Sequence, residues 1–363
     1  MTDTSTRTEE FVGRLFTAGL QAWELLTVYI GDKFGLYAAL HDDGPATPPD
    51  LAARTGVAGR YAQEWLEQQA AAGIVEVEDA SAAPQERRYS LPDAHAEALV
   101  KPESPYSIAP LAKITGAIAG TLPKLAEAFR TGGGVDWASF GSEAIEAQGD
   151  FNRPWLLMSL GSEFLPAVPD VHARLSDTAN PARVADVACG AGWAAIAIAR
   201  AYPHLTVDGF DLDEYSIGLA RKNAADAGVA DRVTFETRDA ADPANRGRYD
   251  LAVVIEAIHD LSRPVEVLGA VRAMLAPGGT AIIADERVGE VFTAPADEID
   301  RFMYAASILC CLPAGLSDEP SAATGTVMRP DTLRRYAGEA GFGATTVLDQ
   351  IEHPMLRFYR LDP

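Results

Sequence analysis

An apolar run that ends in a turn of small residues, 184–192, holds the sequence's most specific chemistry. Gly190 and Gly192 carry no Cβ, so the backbone there can approach a ligand closely, and the free N–H groups that follow can face that ligand. About twenty residues further on, a second predicted strand ends at Asp211, whose carboxylate can accept hydrogen bonds from both hydroxyls of a ribose. The pattern therefore predicts a nucleotide-binding turn.

The residue after the turn, Trp193, helps to distinguish a dinucleotide from other nucleotide ligands. A dinucleotide needs a third glycine, so that helix and strand pack closely around its pyrophosphate, but Trp193 stands there. The string 186–192 instead resembles the first motif of S-adenosylmethionine (SAM) methyltransferases, with Ala188 in place of the motif's first glycine. The resemblance implies SAM as the cofactor and S-adenosylhomocysteine (SAH) as its product. Asp186 has a simpler interpretation as well, since it could hold the turn together by binding backbone amides.

Further candidate cofactor contacts follow the ends of the predicted strands, because ligands of a parallel sheet bind beyond its carboxyl ends. Leu212 follows the second strand, and Asp239 with Ala240 follows the third. Asp239 could accept a bond from the exocyclic amine of adenine, as the methyltransferase resemblance implies, or it could cap the segment after Ala240. Glu256, after the fourth strand, could contact the methionine part of SAM or cap its own loop.

A His-Asp pair, His259 and Asp260, follows the fourth strand above the predicted crevice. Plant-type and bacterial antibiotic O-methyltransferases carry a similar pair, followed by a helix and a strand that ends in an acidic residue, here Asp285. The resemblance implies a catalytic group of His259, Asp260 and Asp285, in which His259 removes the proton of a substrate hydroxyl while Asp285 orients the imidazole. Imidazole suits this role, because its ordinary pKa of about 6.5 leaves a basic form at neutral pH. The alternative is a polar residue that binds loop backbone.

Strands and helices alternate from residue 183 onward, as expected for a parallel sheet with helices on both faces. This pattern predicts a doubly wound, Rossmann-like α/β fold. The last two strands resemble the antiparallel end hairpin of the methyltransferase sheet, which implies seven strands in all. The strands are predicted near 183–187, 206–211, 233–237, 249–255, 279–285, 344–351 and 356–361.

Two segments outside these strands are candidates for the substrate wall. The insert 287–328 is too long for an ordinary connection and is typical of a lid. An apolar helix predicted from residue 155 onward covers the cofactor in the resembling proteins. The candidate pocket residues are Phe151, Trp155, Met158, Phe302, Met303, Tyr304 and Ser307. Core packing, or an amphipathic helix packed on a neighbouring domain, explains the same apolar pattern.

The first hundred residues predict a winged helix. A capping box with prolines, 47–50, opens one helix, a second covers 60–72, and strands near 74–77 and 88–91 flank an acidic tip. Residues 1–100 hold seven Lys and Arg against sixteen Asp and Glu, so this surface would repel a phosphate backbone. The domain resembles the dimerisation domain of the O-methyltransferases and winged-helix methyltransferase-like proteins of mycobacteria, which implies a homodimer.

Composition narrows the partners and the location. A net charge of −22 disfavours nucleic acid and anionic membranes, and without a predicted membrane span or signal peptide we expect a cytoplasmic protein. Three cysteines give neither a disulfide framework nor a metal-ligand spacing, so we expect no metal. We divide the chain into a winged-helix domain (1–104), a helical connector (105–180) and a SAM-binding domain (181–363).

O-methylation of a small, partly apolar metabolite is the function that these features favour. N- or C-methylation is an alternative, as is a SAM-fold enzyme in which the sulfonium charge assists decarboxylation or rearrangement. A DNA-binding regulator is the third and least favoured hypothesis.

Overall fold

The computed structural model describes residues 4–363, and the chain divides into two compact units, Met1–Ala117 and Ile118–Pro363. The connector predicted over 105–180 contributes to both units, because its later residues belong to the hydrophobic core of the second. No helix between residues 4 and 363 has the length and apolar character that crossing a membrane requires.

One long helix, several shorter ones and a small hairpin make up the first unit, as expected for a winged helix with an added N-terminal helix. The Asp50 N–H donates to the Thr47 hydroxyl at 3.3 Å, and the Thr47 N–H donates to the Asp50 carboxylate at 3.2 Å, which completes the predicted capping box. Gly56 ends that helix at a φ of 76°. The elements of this part of the chain are α1 (Thr4–Lys33), α2 (Leu36–Asp42), α3 (Pro48–Thr55), α4 (Gly59–Ala71), β1 (Glu76–Val77), β2 (Tyr89–Ser90), α5 (Asp93–Leu99) and α6 (Ala109–Thr131).

Most of helix α1 lies outside the core of the first unit. Every residue from 4 to 23 is exposed, whereas the core forms around Tyr37, Trp65 and Leu66. The exposed part of α1 carries large apolar side chains at helical spacing, which we call the α1 stripe: Phe11, Val12, Leu15, Phe16, Leu20 and Trp23. An apolar face of this extent marks a surface that another molecule can cover.

A single seven-stranded sheet forms the centre of the second unit. Its strands are β3 (Arg183–Val187), β4 (Thr206–Asp211), β5 (Val233–Thr237), β6 (Tyr249–Ile255), β7 (Leu275–Glu286), β8 (Ala344–Val347) and β9 (Leu356–Asp362). They lie in the order β5-β4-β3-β6-β7-β9-β8, with β3 to β7 parallel and β9 antiparallel to both of its neighbours. The doubly wound, Rossmann-like prediction is thereby confirmed. The strand order reverses between β3 and β6, and a ligand crevice forms at such a switch point.

Helices cover both faces of this sheet, and side chains alternate between the two cores. Leu251 and Val253 of β6 pack into one core, and Ala252 and Val254 pack into the other. The helices are α7 (Ser142–Trp155), α8 (Pro169–Leu175), α9 (Trp193–Ala201), α10 (Glu214–Asp226), α11 (Pro264–Met274), α12 (Glu298–Ala306), α13 (Leu312–Gly315) and α14 (Pro330–Glu339), with π-helical segments at Leu156–Phe164 and Ser307–Cys311.

Candidate active site

A cavity of about 400 Å³ opens beyond the carboxyl ends of β3 and β6, at the switch point of the sheet. Its walls come from the turn after β3, the loop after β6, helix α7 and the π-helical segment Ser307–Cys311. Seven carboxylates line it: Asp186, Asp211, Asp213, Glu256, Asp260, Glu286 and Asp318. Within residues 4–363 neither Lys nor Arg lines this cavity, so it suits a cationic ligand.

The turn after β3 contains three residues in the left-handed backbone region. The φ angles are 56° at Ala188, 49° at Gly190 and 79° at Gly192. A Cβ on Gly192 would lie 2.5 Å from the Phe235 ring, so glycine is required there by packing as well as by backbone geometry. A Cβ on Gly190 would meet no atom within 4 Å, and Gly190 lines the cavity. The structure thus leaves the backbone at Gly190 open to a ligand.

Two acidic residues that line the cavity hold this turn in place. Asp211 accepts the N–H of Gly190 on one oxygen and that of Asp213 on the other, each at 2.9 Å. Asp186 accepts the N–H of Ala195, in the first turn of α9, at 3.0 Å, which fits the turn-holding alternative for Asp186. Burial raises the pKa of Asp186 to about 7 and raises that of Asp211 above its usual value.

Glu256 lies in the cavity wall directly after β6. Its φ of 52° is unusual for a residue with a Cβ, and such strain costs about 1–3 kcal/mol. Its carboxylate accepts Nδ2 of Asn152 at 2.8 Å and Nε2 of Gln148 at 3.2 Å, and both donors line the cavity. Burial raises the pKa of Glu256 to about 7. Gln148 and Asn152 could not be found in the sequence, because no local pattern shows that α7 packs beside this loop.

His259 is held between carboxylates on both sides of its ring. It is 2% exposed, and its Nδ1 lies in hydrogen-bond contact with Asp285 Oδ1 at 2.8 Å. Glu286 Oε2 lies 3.0 Å from the same nitrogen, and Asp260 Oδ1 lies 3.2 Å from Nε2. Asp260 lines the cavity with His259, whereas Asp285 lies behind the imidazole. The structure therefore brings the three predicted catalytic residues together.

These carboxylates determine where protons reside. Burial lowers the pKa of His259, but Asp260, Glu286 and Asp285 raise it more, so it lies well above its usual value. Burial also raises the pKa of Glu286 well above its usual value. The carboxylates therefore favour the protonated imidazole, and burial favours the protonated form of Glu286. A cation in the cavity would favour the neutral imidazole, which is the form that can act as a base.

Two neighbouring cysteines line the cavity beside His259. The hydrogen bond between their thiols lowers the pKa of Cys311 and raises that of Cys310. Two groups of side chains place their ligand atoms within 4.8 Å of one another: His259, Asp260 and Cys311, and His259, Asp285 and Glu286. Cys311 lies 51 residues beyond Asp260, so the sequence shows no metal-ligand spacing and only the fold brings them together.

The other predicted cofactor contacts lie outside the cavity wall. Leu212 is 74% exposed. Asp239 accepts the N–H of Ala241 at 2.8 Å, which fits its alternative role as a local cap. Ala240 lines a separate cavity of about 190 Å³. Gly192 packs against Phe235 behind the turn.

All seven predicted pocket residues lie within the described range 4–363, and none of them lines the cavity. Phe302 and Met158 are exposed, Phe151, Trp155 and Tyr304 are half-buried, and Met303 and Ser307 are buried. The Trp155 ring packs against Phe164 and Phe358, at centroid distances of 6.3 and 6.5 Å, as the core-packing alternative expects. The same two segments reach the cavity through other residues, Leu156 and Cys311.

Comparison with known proteins identifies the class. Residues 180–327 match the family model described as a methyltransferase domain, and residues 22–101 match the Rv2258c-like winged HTH domain. The chain is 28% identical over 209 residues to a ubiquinone biosynthesis O-methyltransferase of Thiobacillus denitrificans. That match covers 55% of this chain and 84% of the relative.

Two solved structures share the fold over nearly the whole chain. The mitomycin 7-O-methyltransferase MmcR superposes with a TM-score of 0.67 at 19% identity, over 99% of this chain and 100% of that one. Human N-acetylserotonin methyltransferase, solved in complex with SAM, superposes with a TM-score of 0.65 at 17% identity, over 99% of this chain and 98% of that one. At these identities the likeness establishes the fold alone.

The domain that contains the cavity is thus a SAM-dependent methyltransferase, as the turn 186–192 predicted. More particularly, it follows a winged-helix domain of the Rv2258c-like kind, a combination that the sequence also indicated.

Proposed function

We propose that the protein transfers the methyl group of SAM to a hydroxyl oxygen of a small, partly apolar metabolite, with His259 as the general base. One observation carries this proposal: Nδ1 of His259 contacts the buried Asp285 at 2.8 Å, while the imidazole lines the cavity. A carboxylate on Nδ1 fixes the ring and leaves Nε2 to take a proton. The O-methyltransferase names of the curated relatives support oxygen as the acceptor atom.

The chemistry of the cavity wall fits SAM, because carboxylates suit its sulfonium and ammonium groups. We assign the ribose hydroxyls to Asp211, whose oxygens each keep a lone pair beside the N–H bonds they accept. We assign the close backbone approach to Gly190 and the methionine end to Glu256. An adenine contact by Asp239 stays a prediction, as do cofactor contacts by Asp186, Ala188, Gly192, Leu212 and Ala240.

Positioning and proton removal are the tasks left to the chain, since bound SAM supplies an already activated methyl group. His259 takes the hydroxyl proton through Nε2, and Asp285 holds the ring in place through Nδ1. Asp260 lies 3.2 Å from Nε2 and must give way to the acceptor hydroxyl. A base of this kind contributes about 10²–10⁴-fold to the rate.

The volume of the cavity limits the acceptor. Sites for small molecules typically enclose about 300–1,000 Å³, and this cavity of about 400 Å³ is near the lower end. It must also admit the ribose and the methionine part of SAM, so only a small acceptor fits beside them. Leu156, Ile255 and Leu261 in its wall suit an acceptor that is partly apolar.

The test compares wild type and His259→Ala in a single-turnover assay, with an acceptor identified by transfer of a labelled methyl group. We expect the rate of the variant to fall by about 10²–10⁴-fold, because the base is gone. SAH affinity, measured by calorimetry, should stay within about twofold of wild type, since binding needs no base. Unchanged turnover in His259→Ala would refute the assignment, because a neutral amine acceptor needs no base.

We also propose that the protein is a homodimer through its N-terminal domain, with the α1 stripe in the interface. No other part of the first unit covers the stripe among residues 4–117, since every residue from 4 to 23 is exposed. Burying each large apolar side chain stabilises an interface by about 1.5–3 kcal/mol.

We expect neither nucleic acid nor an anionic membrane among the partners of the protein. The net charge of −22, and the excess of carboxylates over residues 1–100, support this expectation. A cytoplasmic location stays a prediction.

A further inference from the structure

We propose that His259, Asp260 and Cys311 form a binding site for a thiophilic divalent cation, with Zn²⁺ as the ion that fits best. Their ligand atoms lie within 4.8 Å of one another, and all three residues line the cavity. Imidazole, carboxylate and thiolate are the ligand types that zinc prefers in proteins. This proposal revises the expectation, drawn from the sequence, that the chain binds no metal.

The separations within this triad are close to those of a tetrahedral zinc site. Bonds of about 2.0–2.1 Å to nitrogen and oxygen give an N···O edge of about 3.3 Å. Asp260 Oδ1 lies 3.2 Å from His259 Nε2, which matches that edge. A Zn–S bond of about 2.3 Å gives an S···N edge of about 3.6 Å, and the separation of at most 4.8 Å exceeds that edge by no more than about 1.2 Å.

The surroundings of the triad also resemble those of a metal site. Asp285 contacts Nδ1 of His259 at 2.8 Å and so turns Nε2 toward the other two ligands. A carboxylate behind the imidazole is the usual outer-shell partner of a zinc-bound histidine. Asp260 Oδ1 is buried, accepts no hydrogen bond from any residue in 4–363, and has Nε2 of His259 as its charged neighbour at 3.2 Å. A cation bound between these two atoms would give this oxygen a ligand bond.

Three protein ligands leave a fourth tetrahedral position, and we infer that it opens into the cavity because all three ligand residues line it. Sites of this composition hold exchangeable ligands rather than a purely structural ion. The metal would bind Nε2, the same nitrogen that takes the acceptor proton in the proposed function. Zinc would therefore inhibit methyl transfer, and this consequence, unlike the binding itself, rests on the proposed function.

The experiment titrates the full chain with Zn²⁺ by calorimetry, and with Co²⁺ as a spectroscopic substitute, in the absence of SAM and of any acceptor. Cys311→Ser removes the sulfur ligand, and Cys310→Ser is its matched control, because Cys310 lines the same cavity outside the triad. Asp260→Asn is a third variant that keeps both thiols. SAH binding and circular dichroism confirm that each variant is folded.

We expect one Zn²⁺ per chain in wild type and in Cys310→Ser, and affinity lower by about tenfold or more in Cys311→Ser and Asp260→Asn. The thiolate-to-cobalt charge-transfer band should be present in wild type and Cys310→Ser, and absent in Cys311→Ser. Failure of wild type to bind zinc, equal affinity in wild type and Cys311→Ser, or a band lost in Cys310→Ser would overturn the proposal. Because the titration needs no turnover, its outcome is independent of whether His259 acts as a base.

Discussion

Replacing the two glycines of the turn one at a time separates core packing from ligand approach, because their surroundings differ. At Gly192, with a φ of 79°, a Cβ would lie 2.5 Å from the Phe235 ring and 2.9 Å from the Ala220 Cβ. At Gly190, with a φ of 49°, a Cβ would meet no atom within 4 Å. We therefore expect Gly192→Ala to lose stability and Gly190→Ala to lose cofactor affinity.

The magnitudes follow from these contacts. Gly192→Ala combines left-handed strain of about 1–2 kcal/mol with overpacking of about 1–3 kcal/mol, so the free energy of unfolding falls by about 2–5 kcal/mol. Gly190→Ala carries only the strain, about 1–2 kcal/mol. Its new methyl group enters the space where the backbone approaches the nucleoside. SAH affinity should fall by about tenfold or more, which corresponds to about 1.4 kcal/mol.

Denaturant unfolding gives the stability of each variant, and calorimetry with SAH gives its affinity. Both are compared with wild type at one temperature and ionic strength. Wild-type SAH affinity in Gly190→Ala would refute the assignment of that residue to the cofactor. Equal stability of the two variants would refute the packing argument for Gly192.

Two further predictions concern the proton path and the dimer. Asp285→Asn removes the carboxylate that orients His259. The single-turnover rate of methyl transfer should therefore fall by about 10²–10⁴-fold, while SAH affinity stays unchanged. A rate within twofold of wild type would contradict the orienting role of Asp285. Phe16→Asp places a charge in the α1 stripe of both subunits. Light scattering should therefore show a monomer at concentrations where wild type and the control variant Gln21→Glu are dimers. A dimeric Phe16→Asp would exclude the stripe from the interface.

The fold could be predicted because its signals are local. Strands β3 to β6 have the expected bounds, since each is a run of apolar or alternating apolar and polar residues that ends at or just before a turn or an acidic residue. Strand β7 begins earlier than expected, at Leu275 instead of 279, because Leu275 pairs with Tyr249 across a register shift. The Pro-Gly-Gly signal at 277–279 indicated a turn, and long-range pairing overrode it.

Part of the candidate site could also be predicted, because some of its residues stand next to strands that the sequence shows clearly. Asp211, His259 and Asp285 lie at or just beyond the carboxyl ends of parallel strands, so the topology alone brings them to one edge of the sheet. Asn152 and Cys311 reach the cavity from segments whose packing leaves no signature in the sequence.

The spacing of apolar residues could not show which side chains form the substrate wall. It shows that Trp155 faces an apolar surface, but it does not distinguish the core from a pocket, and the ring packs in the core. The side chains that do line the wall beside His259 include small and polar ones, such as Cys310 and Ser262, which carry no periodic signal.

The most direct test of O-methyl transfer is mass spectrometry of a source-organism metabolite extract, incubated with deuteromethyl-labelled SAM and either wild type or His259→Ala. The proposed function predicts a new labelled methyl ether, formed by wild type and not by the variant. A labelled methyl group on nitrogen or carbon, or a new unlabelled product formed while SAM is recovered intact, would contradict it.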